Sequence, residues 1–288
     1  MRILILGASG MLGSSVLSIF CEDQSYEVWG TLRSDASKRF FTKELQARLL
    51  TGVDVLDQDA LLDVLVKIKP NVVINCVGLI KQLAQAQNPL STLPINAMFP
   101  HRLAQFCGLM GARLVHISTD CVFSGRKGMY RETDVSDAED LYGKSKFIGE
   151  INNLPGVITL RTSIIGHELN SHFALVEWFL AQKGPVKGYS KAIFSGLPTV
   201  ELGLVIKDYI LKNPQLNGLY HVVASPISKL NLLQMVSDRY GKGTVIIPDE
   251  SIVIDRSLDG ERFRTATGYV APAWAELIDR MYNKRAFL

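Results

Sequence analysis

The chain opens with RILILGASGMLG, residues 2–13, and this stretch indicates the fold more clearly than any other. Residues 2–6 are continuously apolar, which is typical of a strand buried on both faces. Glycines follow at positions 7, 10 and 13, and the amphipathic run 14–20 indicates a helix. Glycines cannot block a pyrophosphate from the backbone N–H groups at a helix N-terminus. The stretch therefore predicts a strand–turn–helix unit that binds a dinucleotide, with a tight turn lacking any ligand as the alternative.

Apolar and amphipathic runs alternate along the first 165 residues. Strands are predicted over 27–32, 72–76, 113–117 and 157–160, and helices over 59–68, 97–110 and 142–152. Strands that alternate with helices at this spacing indicate βαβ units. The sequence therefore predicts an α/β fold, with a Rossmann-type, doubly wound parallel sheet.

The pattern changes after about residue 165. We predict a helix over 173–182, a turn at 184–185, an irregular or edge segment over 186–194, a strand over 219–223 and a helix over 230–240. Residues 1–165 are expected to form an NADP-binding Rossmann domain, and residues 166–288 mainly a smaller C-terminal substrate-binding lobe. The segment from about 190 to 225 is expected to be interleaved with the first domain.

Composition excludes several classes of partner. The net charge of +3 is small and no nucleic-acid-binding motif is present, so we expect no nucleic-acid partner. No apolar run reaches the roughly 18 residues that a membrane span needs, and the N-terminus does not read as a signal peptide. The four cysteines form no Cys-x-x-Cys pair, and no cluster has metal-ligand spacing. We expect a cytoplasmic protein without a metal.

Three residues suggest hydride chemistry at a carbonyl. Tyr142 and Lys146 are four residues apart, so on a helix they share one face, and Thr119 precedes Tyr142 by 23 residues. A cation beside a phenol favours the phenolate and lowers its pKa, and a hydroxyl could bind the same substrate oxygen. A solvated helix surface is the alternative interpretation for the Tyr142–Lys146 spacing.

The end of the second predicted strand bears on the choice of nucleotide. An acidic residue at this place binds a ribose 2′-hydroxyl, whereas an arginine favours a 2′-phosphate. Arg33 stands here and Asp35 follows it. The sequence favours NADP(H) over NAD(H), with a solvated surface charge as the alternative role of Arg33.

These motifs together resemble the extended short-chain dehydrogenase/reductase superfamily and, more narrowly, the dTDP-4-dehydrorhamnose reductase family. Besides the glycine turn, the resemblance rests on ISTDCVFSG (117–125), LYGKSK (141–146) with GE (149–150), LRTS (160–163), GLPT (196–199), GLYHVVA (218–224) and LDGERF (258–263). It implies an NADPH-dependent enzyme that reduces the 4-keto group of a nucleotide-linked deoxysugar. Such enzymes serve nucleotide-sugar and surface-polysaccharide biosynthesis, and relatives are often homodimers.

The resemblance also implies residue roles. Thr119, Tyr142 and Lys146 are the implied catalytic trio. The residues expected to contact the cofactor are Gly7, Ser9, Gly10, Met11, Leu12, Gly13, Arg33, Asp54, Val55, Cys76, Val77, Gly78, Asn96, Ser118, Tyr142 and Lys146. Asn96 could equally be a simple N-cap. The residues expected to contact the substrate are Lys81, Asp120, Cys121, Val122, Phe123, Arg161, Ser163 and Ile164. Structural roles are the alternative for Lys81 and Arg161.

Two residues and one loop bear on which reaction is catalysed and on which sugar is bound. Sugar-nucleotide dehydratases carry Asp-Glu after the threonine, whereas Cys121 follows Asp120 here, which argues against a dehydratase. The family usually has a tryptophan where this chain has Ile164, and the loop at 79–82 also departs from its pattern, so the sugar stays open. A nucleotide-sugar 4-epimerase and a non-catalytic NADP-binding regulatory subunit are the alternatives.

Overall fold

The computed structural model describes residues 1–284. Its strands are β1 (Arg2–Leu6), β2 (Glu27–Thr31), β3 (Leu49–Leu50), β4 (Val72–Asn75), β5 (Arg113–Ile117), β6 (Val157–Arg161), β7 (Ile164–Ile165), β8 (Val186–Tyr189), β9 (Ala192–Phe194), β10 (Leu197–Pro198), β11 (Gly218–His221), β12 (Ile227–Ser228), β13 (Ile246–Asp249) and β14 (Ile254–Asp255).

The helices are α1 (Met11–Cys21), α2 (Lys43–Gln46), α3 (Gln58–Ile68), α4 (Pro89–Thr92), α5 (Phe99–Leu109), α6 (Leu141–Ile148), α7 (Leu175–Ala181), α8 (Thr199–Val205), α9 (Lys229–Tyr240), α10 (Glu261–Thr267) and α11 (Trp274–Asn283). Short 3₁₀ helices span Asp35–Phe40, Ala84–Gln87 and Asp120–Val122, and π-helical turns span Leu93–Met98 and Ile206–Ile210. None of the helices in the described part of the chain is both long and apolar enough to cross a bilayer.

A seven-stranded parallel sheet organises the chain, in the order β11–β6–β5–β4–β1–β2–β3. β1 lies between β2 and β4, so the strand order reverses at this point. In such a sheet a crevice opens at the carboxyl ends of the strands where the order reverses, and ligands bind there. The predicted doubly wound Rossmann-type fold is confirmed.

Side chains of β1 alternate between two apolar cores. Ile3 and Ile5 pack in the core that contains residues of α1 and α8. Leu4 and Leu6 pack in the core that contains residues of α3 and α5. Because all four side chains are fully buried, the continuous apolar run that opens the chain is explained by helices on both faces of the sheet.

The second half of the chain returns to this sheet once. β11 pairs in parallel with β6, with Gly218 opposite Ile158 and His221 opposite Arg161. The other late strands form small ladders: β7 with β10, β8 with β13, and β9 between β12 and β14. The domain limits near residues 165 and 166, and the interleaving of the segment from about 190 to 225, stay predictions.

The boundaries of two helices differ from those predicted. α5 begins at Phe99, after the π-helical turn Leu93–Met98, because Pro100 has no N–H to donate to the carbonyl of Asn96. α6 ends at Ile148, four residues before the predicted end, with Gly149 as its C-cap. The segment 186–194, predicted to be irregular or an edge, forms β8 and β9.

A buried ion pair fastens the chain after α6 to β6. Arg161 Nε and Nη2 each donate a hydrogen bond of 2.7 Å to the carboxylate of Glu150. The two side chains are 2% and 1% exposed, and the guanidinium lies 5.1 Å from the centroid of the Phe123 ring. Removing one charge of a buried pair is costly because the other stays buried without compensation.

We expect Glu150→Gln to lower the free energy of unfolding by about 3 kcal/mol, since the buried Arg161 would lose its counterion. Glu139→Gln is the matched control, because the Arg126–Glu139 pair has side chains 73% and 70% exposed. Exposed pairs contribute less than about 1 kcal/mol. Urea unfolding of both variants measures the difference, and equal losses would contradict this role of Glu150.

Candidate active site

The glycine turn between β1 and α1 forms one wall of the crevice. Gly10 is the N-cap of α1 and contributes no side-chain cap, so the first N–H groups of the helix face outward from the turn. A Cβ at Gly13 would lie 2.1 Å from the carbonyl oxygen of Gly7, so only glycine lets α1 pack against the turn. Ser9 and Met11 are partly exposed and Leu12 is buried. The turn leaves room for a phosphate at the helix N-terminus.

The ends of β2 and β3 provide the residues predicted to hold the adenosine part of the cofactor. Arg33 is exposed and, among residues 1–284, has no carboxylate within ion-pair distance. Asp35 is engaged by Lys38 at 3.0 Å and therefore does not neutralise Arg33. Asp54 is exposed and accepts a hydrogen bond from the Leu56 N–H at 2.9 Å, whereas the neighbouring Val55 is buried.

The loop after β4 forms the opposite wall. Cys76 and Val77 are partly exposed and Gly78 is exposed. Asn96, buried in the π-helical turn, accepts from the Leu79 N–H at 2.9 Å and donates to the Leu79 carbonyl at 3.1 Å. Asn96 therefore fixes this loop, and the alternative of an N-cap is wrong because the residue lies within a helical turn.

The catalytic trio predicted from sequence converges at the carboxyl ends of β5 and β6. Thr119 is the N-cap of the 3₁₀ helix after β5, and Tyr142 and Lys146 lie on α6. A Cβ at Gly143 would lie 2.2 Å from the Cys121 carbonyl oxygen, so glycine here lets α6 pack directly on the threonine-bearing turn. That close approach places the phenol of Tyr142 beside the hydroxyl of Thr119.

The protonation of Tyr142 differs from the prediction. Burial raises the pKa of its phenol, the Cys121 side chain and Asp120 add to this, and a hydrogen bond with Thr119 opposes it. The Lys146 ammonium donates instead to the Ile117 carbonyl at 2.7 Å. The predicted lowering of the Tyr142 pKa by Lys146 is therefore not found, because burial of the phenol dominates.

Lys146 is itself shifted. Its side chain is 5% exposed, and burial lowers the pKa of Lys146 to about 8 although the charge of Glu150 opposes this. An ideal Cβ on Gly78 would lie 3.9 Å from the ammonium, so Lys146 is adjacent to the loop after β4. The side chain of Lys146 therefore extends from α6 to the loop after β4, the predicted cofactor wall.

The predicted substrate residues after Thr119 divide into two groups. Asp120 accepts a hydrogen bond from the Thr119 hydroxyl at 3.1 Å, and Cys121 is partly exposed, with burial raising the pKa of its thiol to about 12. Val122 and Phe123 are fully buried, and Phe123 stacks on Tyr130 with centroids 4.1 Å apart. The prediction of substrate contacts is therefore corrected for Val122 and Phe123, whose side chains form a small core.

Other predicted substrate residues are also engaged elsewhere. Arg161 is held in the buried pair with Glu150, so its predicted substrate contact is wrong and the structural alternative holds. Lys81 pairs with Asp140, the N-cap of α6, at 2.6 Å near the surface. Ser163 and Ile164 are partly exposed, and Ile164 packs against the larger core.

Three buried polar residues outside the trio, Ser118, Asn75 and Glu150, also shape the site. Ser118, expected to contact the cofactor, is buried and its hydroxyl donates to Glu150 at 2.7 Å. Asn75, at the end of β4, accepts from the Val77 N–H at 3.1 Å and so shapes the cofactor wall. A polar residue ending an apolar strand was the available signal for Asn75. Glu150 is part of the motif that carries the family resemblance, but its role was not visible in the sequence because its partners, Ser118 and Arg161, are distant along the chain.

Among residues 1–284, no group of three or more His, Cys, Asp or Glu side chains could hold a metal ion. His116 lies fully buried in β5, where its Nδ1 is 3.1 Å from the side-chain amide nitrogen of Asn75.

Comparison with known proteins identifies a family whose model matches nearly the whole chain. The family described as RmlD substrate binding domain matches residues 1–286. The chain is 29% identical over 240 residues to the dTDP-4-dehydrorhamnose reductase of Aggregatibacter actinomycetemcomitans, covering 78% of this chain and 74% of that protein.

A second group of relatives has another name. The chain is 32% identical over 168 residues to methionine adenosyltransferase 2 subunit beta of Xenopus laevis, covering 57% of this chain and 47% of that protein. The chain thus matches only about half the length of that relative.

Solved structures share the whole fold. A hypothetical dTDP-4-dehydrorhamnose reductase from Sulfolobus tokodaii has a TM-score of 0.79 at 24% identity, covering 98% of this chain and 99% of its own. The Bacillus anthracis dTDP-4-dehydrorhamnose reductase in complex with NADP has a TM-score of 0.78 at 21% identity, with the same coverage.

The likeness to solved structures establishes the fold. The match of the family model to residues 1–286 establishes the family. The fold and the family match confirm the resemblance predicted from the motifs, while the roles of the individual site residues stay a prediction. The chain belongs to the RmlD substrate-binding-domain family, within the RmlD-like extended short-chain dehydrogenases/reductases.

Proposed function

We propose that this protein is an NADPH-dependent reductase of the 4-keto group of a nucleotide-linked deoxysugar. The observation that carries the proposal is the meeting of Thr119, Tyr142 and Lys146 at the strand ends that border the nucleotide crevice. The relative named dTDP-4-dehydrorhamnose reductase, 29% identical, supports the same reaction class.

The residues present fit a dinucleotide. The N-terminus of α1, opened by Gly10, would hold the pyrophosphate, and Arg33 would hold a 2′-phosphate. Asp54 would meet the adenine, and the chain from Cys76 to Gly78 would run beside the nicotinamide half. NADPH, when bound, supplies the hydride.

The chain's own residues supply the proton and the orientation. Burial raises the pKa of Tyr142, so its phenol is protonated at neutral pH and can donate a proton to the oxygen of a substrate carbonyl. Thr119 hydrogen-bonds the phenol and Asp120, which fixes the direction of both hydroxyls. Lys146, whose ammonium donates to the Ile117 carbonyl and lies beside Gly78, would bind the ribose of the nicotinamide half and so orient the cofactor.

The pocket favours reduction over elimination of water. A dehydratase needs a second acid–base pair next to the trio, and the thiol of Cys121, whose pKa burial raises to about 12, remains protonated and cannot act as that base. Ile164 and the Lys81–Asp140 pair line the presumed sugar side, so the identity of the sugar remains open in this proposal.

A second candidate function has its own support. Relatives named methionine adenosyltransferase 2 subunit beta suggest a non-catalytic NADP-binding subunit of another enzyme. A single experiment separates the candidates: the purified protein is incubated with NADPH and a panel of 4-keto nucleotide sugars. Oxidation of NADPH supports the reductase, and NADPH binding without turnover of any sugar supports the regulatory subunit.

Replacing the phenol tests the proton donor. Tyr142→Phe is expected to lower kcat by at least about 100-fold while the Kd for NADPH changes little, because a general acid contributes a factor of this size. Tyr282→Phe, a change on the distant α11, is the matched control. Stopped-flow oxidation of NADPH measures the rate, and full activity of Tyr142→Phe would overturn the mechanism.

The choice of nucleotide depends on Arg33. Arg33→Gln is expected to weaken NADPH binding by about tenfold and to leave NADH binding nearly unchanged, since only a 2′-phosphate needs the guanidinium. Arg264→Gln, on the exposed face of α10, removes the same charge elsewhere and should affect neither. Fluorescence titration with both nucleotides gives the four Kd values, and an equal loss for NADH would refute this role.

The pH dependence should report Lys146. Because burial lowers the pKa of Lys146 to about 8, its ammonium is charged below that pH and neutral above it. We therefore expect kcat at saturating NADPH to fall as the pH rises through about 8. In Lys146→Arg the charge persists, so any remaining activity should not show this decline. A decline of the same midpoint in both proteins would assign it to another group.

A further inference from the structure

The loop after β4 contacts α6 at two places. Near the start of the loop, an ideal Cβ on Gly78 would lie 3.9 Å from the Lys146 ammonium. Three residues later, the Lys81 ammonium pairs with the carboxylate of Asp140 at 2.6 Å. Asp140 is the N-cap of α6, six residues before Lys146, so the two contacts are about 9 Å apart along the helix. Loop and helix therefore enclose an opening, and Tyr142 lies on α6 between its two ends.

Lys81 lies at the tip of an exposed turn whose base is fixed. The Leu83 N–H donates to the Ile80 carbonyl at 3.1 Å, so Lys81 occupies the second position of a four-residue turn. Before the turn, Asn96 accepts from the Leu79 N–H at 2.9 Å and donates to the Leu79 carbonyl at 3.1 Å. Breaking the contact with α6 therefore frees the tip of the turn, whereas its base stays attached to the predicted cofactor wall.

The ion pair that completes this opening is partly exposed. The side chains of Lys81 and Asp140 are 48% and 38% exposed. Burial raises the pKa of Asp140, but hydrogen bonds from Lys81 and from the Gly143 N–H outweigh it and leave the pKa below its ordinary value. The charge of Arg256 acts in the same direction, so the carboxylate is ionised at neutral pH. A pair this exposed favours its closed form by a factor of only a few, so it is closed most of the time without being locked.

We propose that the Lys81–Asp140 pair is a clasp that closes over the nicotinamide half of the bound cofactor, from the sugar side, and controls exchange of the cofactor. This rests on the proposed course of the dinucleotide along the chain from Cys76 to Gly78, beside Lys146. The nicotinamide half, placed in the opening, would be enclosed by the pair. The clasp opens alike in the free and the loaded protein, so it sets the rates of binding and release and leaves the affinity nearly unchanged.

Stopped-flow fluorescence of NADPH binding to the whole chain tests the clasp. The double variant Lys81→Gln, Asp140→Asn removes one charge of each sign, so the long-range attraction of the anionic cofactor is unchanged. Asparagine caps a helix as well as aspartate does, so α6 keeps the bond from the Gly143 N–H. We expect this variant to bind and release NADPH about threefold faster, with the Kd changed by less than about twofold. Lys191→Gln, Glu250→Gln removes an exposed pair of 2.7 Å elsewhere and should change neither rate.

The single variant Asp140→Asn separates a clasp from a simple effect of charge. Loss of a negative charge strengthens the attraction of anionic NADPH and would by itself slow its release, whereas loss of the clasp speeds release. The acceleration relative to the unmodified protein should fade in about 1 M NaCl, because salt screens the intact pair as well. NADH should respond like NADPH, since the clasp covers the half that the two nucleotides share.

The outcomes separate the clasp from the reductase proposal. Slower or unchanged release from Asp140→Asn would overturn the clasp, as would a double variant with the rates of the unmodified protein. An unmodified protein that does not bind NADPH would overturn it too. Faster exchange in the variants, with no keto sugar reduced by the unmodified protein, would uphold the clasp and refute the reductase. Reduction of a keto sugar, with exchange rates equal in all variants, would do the reverse.

Discussion

The catalytic site depends on the direct contact between α6 and the turn that follows β5. Gly143 makes this contact possible, since any Cβ would strike the Cys121 carbonyl. Asp140 caps the helix by accepting the Gly143 N–H at 2.7 Å, and Lys146 donates to the Ile117 carbonyl at the end of β5. These contacts hold the phenol, the ammonium and the threonine hydroxyl in one place, although their residues come from two separate elements. Preorganisation of this kind is what makes proton transfer to a bound carbonyl efficient.

Burial has opposite consequences for the two titrating members of the trio. It raises the pKa of Tyr142 and lowers that of Lys146, so both are displaced toward their neutral forms. A neutral phenol is the form that donates a proton, whereas a lysine with a pKa of about 8 is still mostly charged at neutral pH and loses its charge just above it. The charge of Glu150 opposes the shift of Lys146, and Glu150 is itself held by Ser118 and Arg161. The buried Glu150–Arg161 pair thus fastens the chain after α6 to the sheet and also supports the charge of Lys146.

Membership of the family and retention of the trio favour an enzyme over a regulatory subunit, although both kinds of protein occur among the relatives. In the proposed reductase, the predicted sugar side of the crevice departs from the motif of the family. Ile164 stands where the family usually has a tryptophan, and the Lys81–Asp140 pair joins the loop after β4 to α6. Such differences would change which nucleotide sugar fits without changing the proposed proton donor.

The sequence by itself determined the parallel sheet, because alternating apolar and amphipathic runs are local patterns. Local patterns also singled out the glycine turn, the trio and Arg33 as candidates: a glycine spacing, a helical repeat of four and the end of a predicted strand. The sequence misassigned Arg161, Val122 and Phe123, whose side chains turn inward to Glu150 and Tyr130. It gave no role to Glu150, and it predicted a lowered pKa for Tyr142. Only the tertiary structure decides these points, because burial, ion pairing and the direction of a pKa shift depend on neighbours contributed by distant strands.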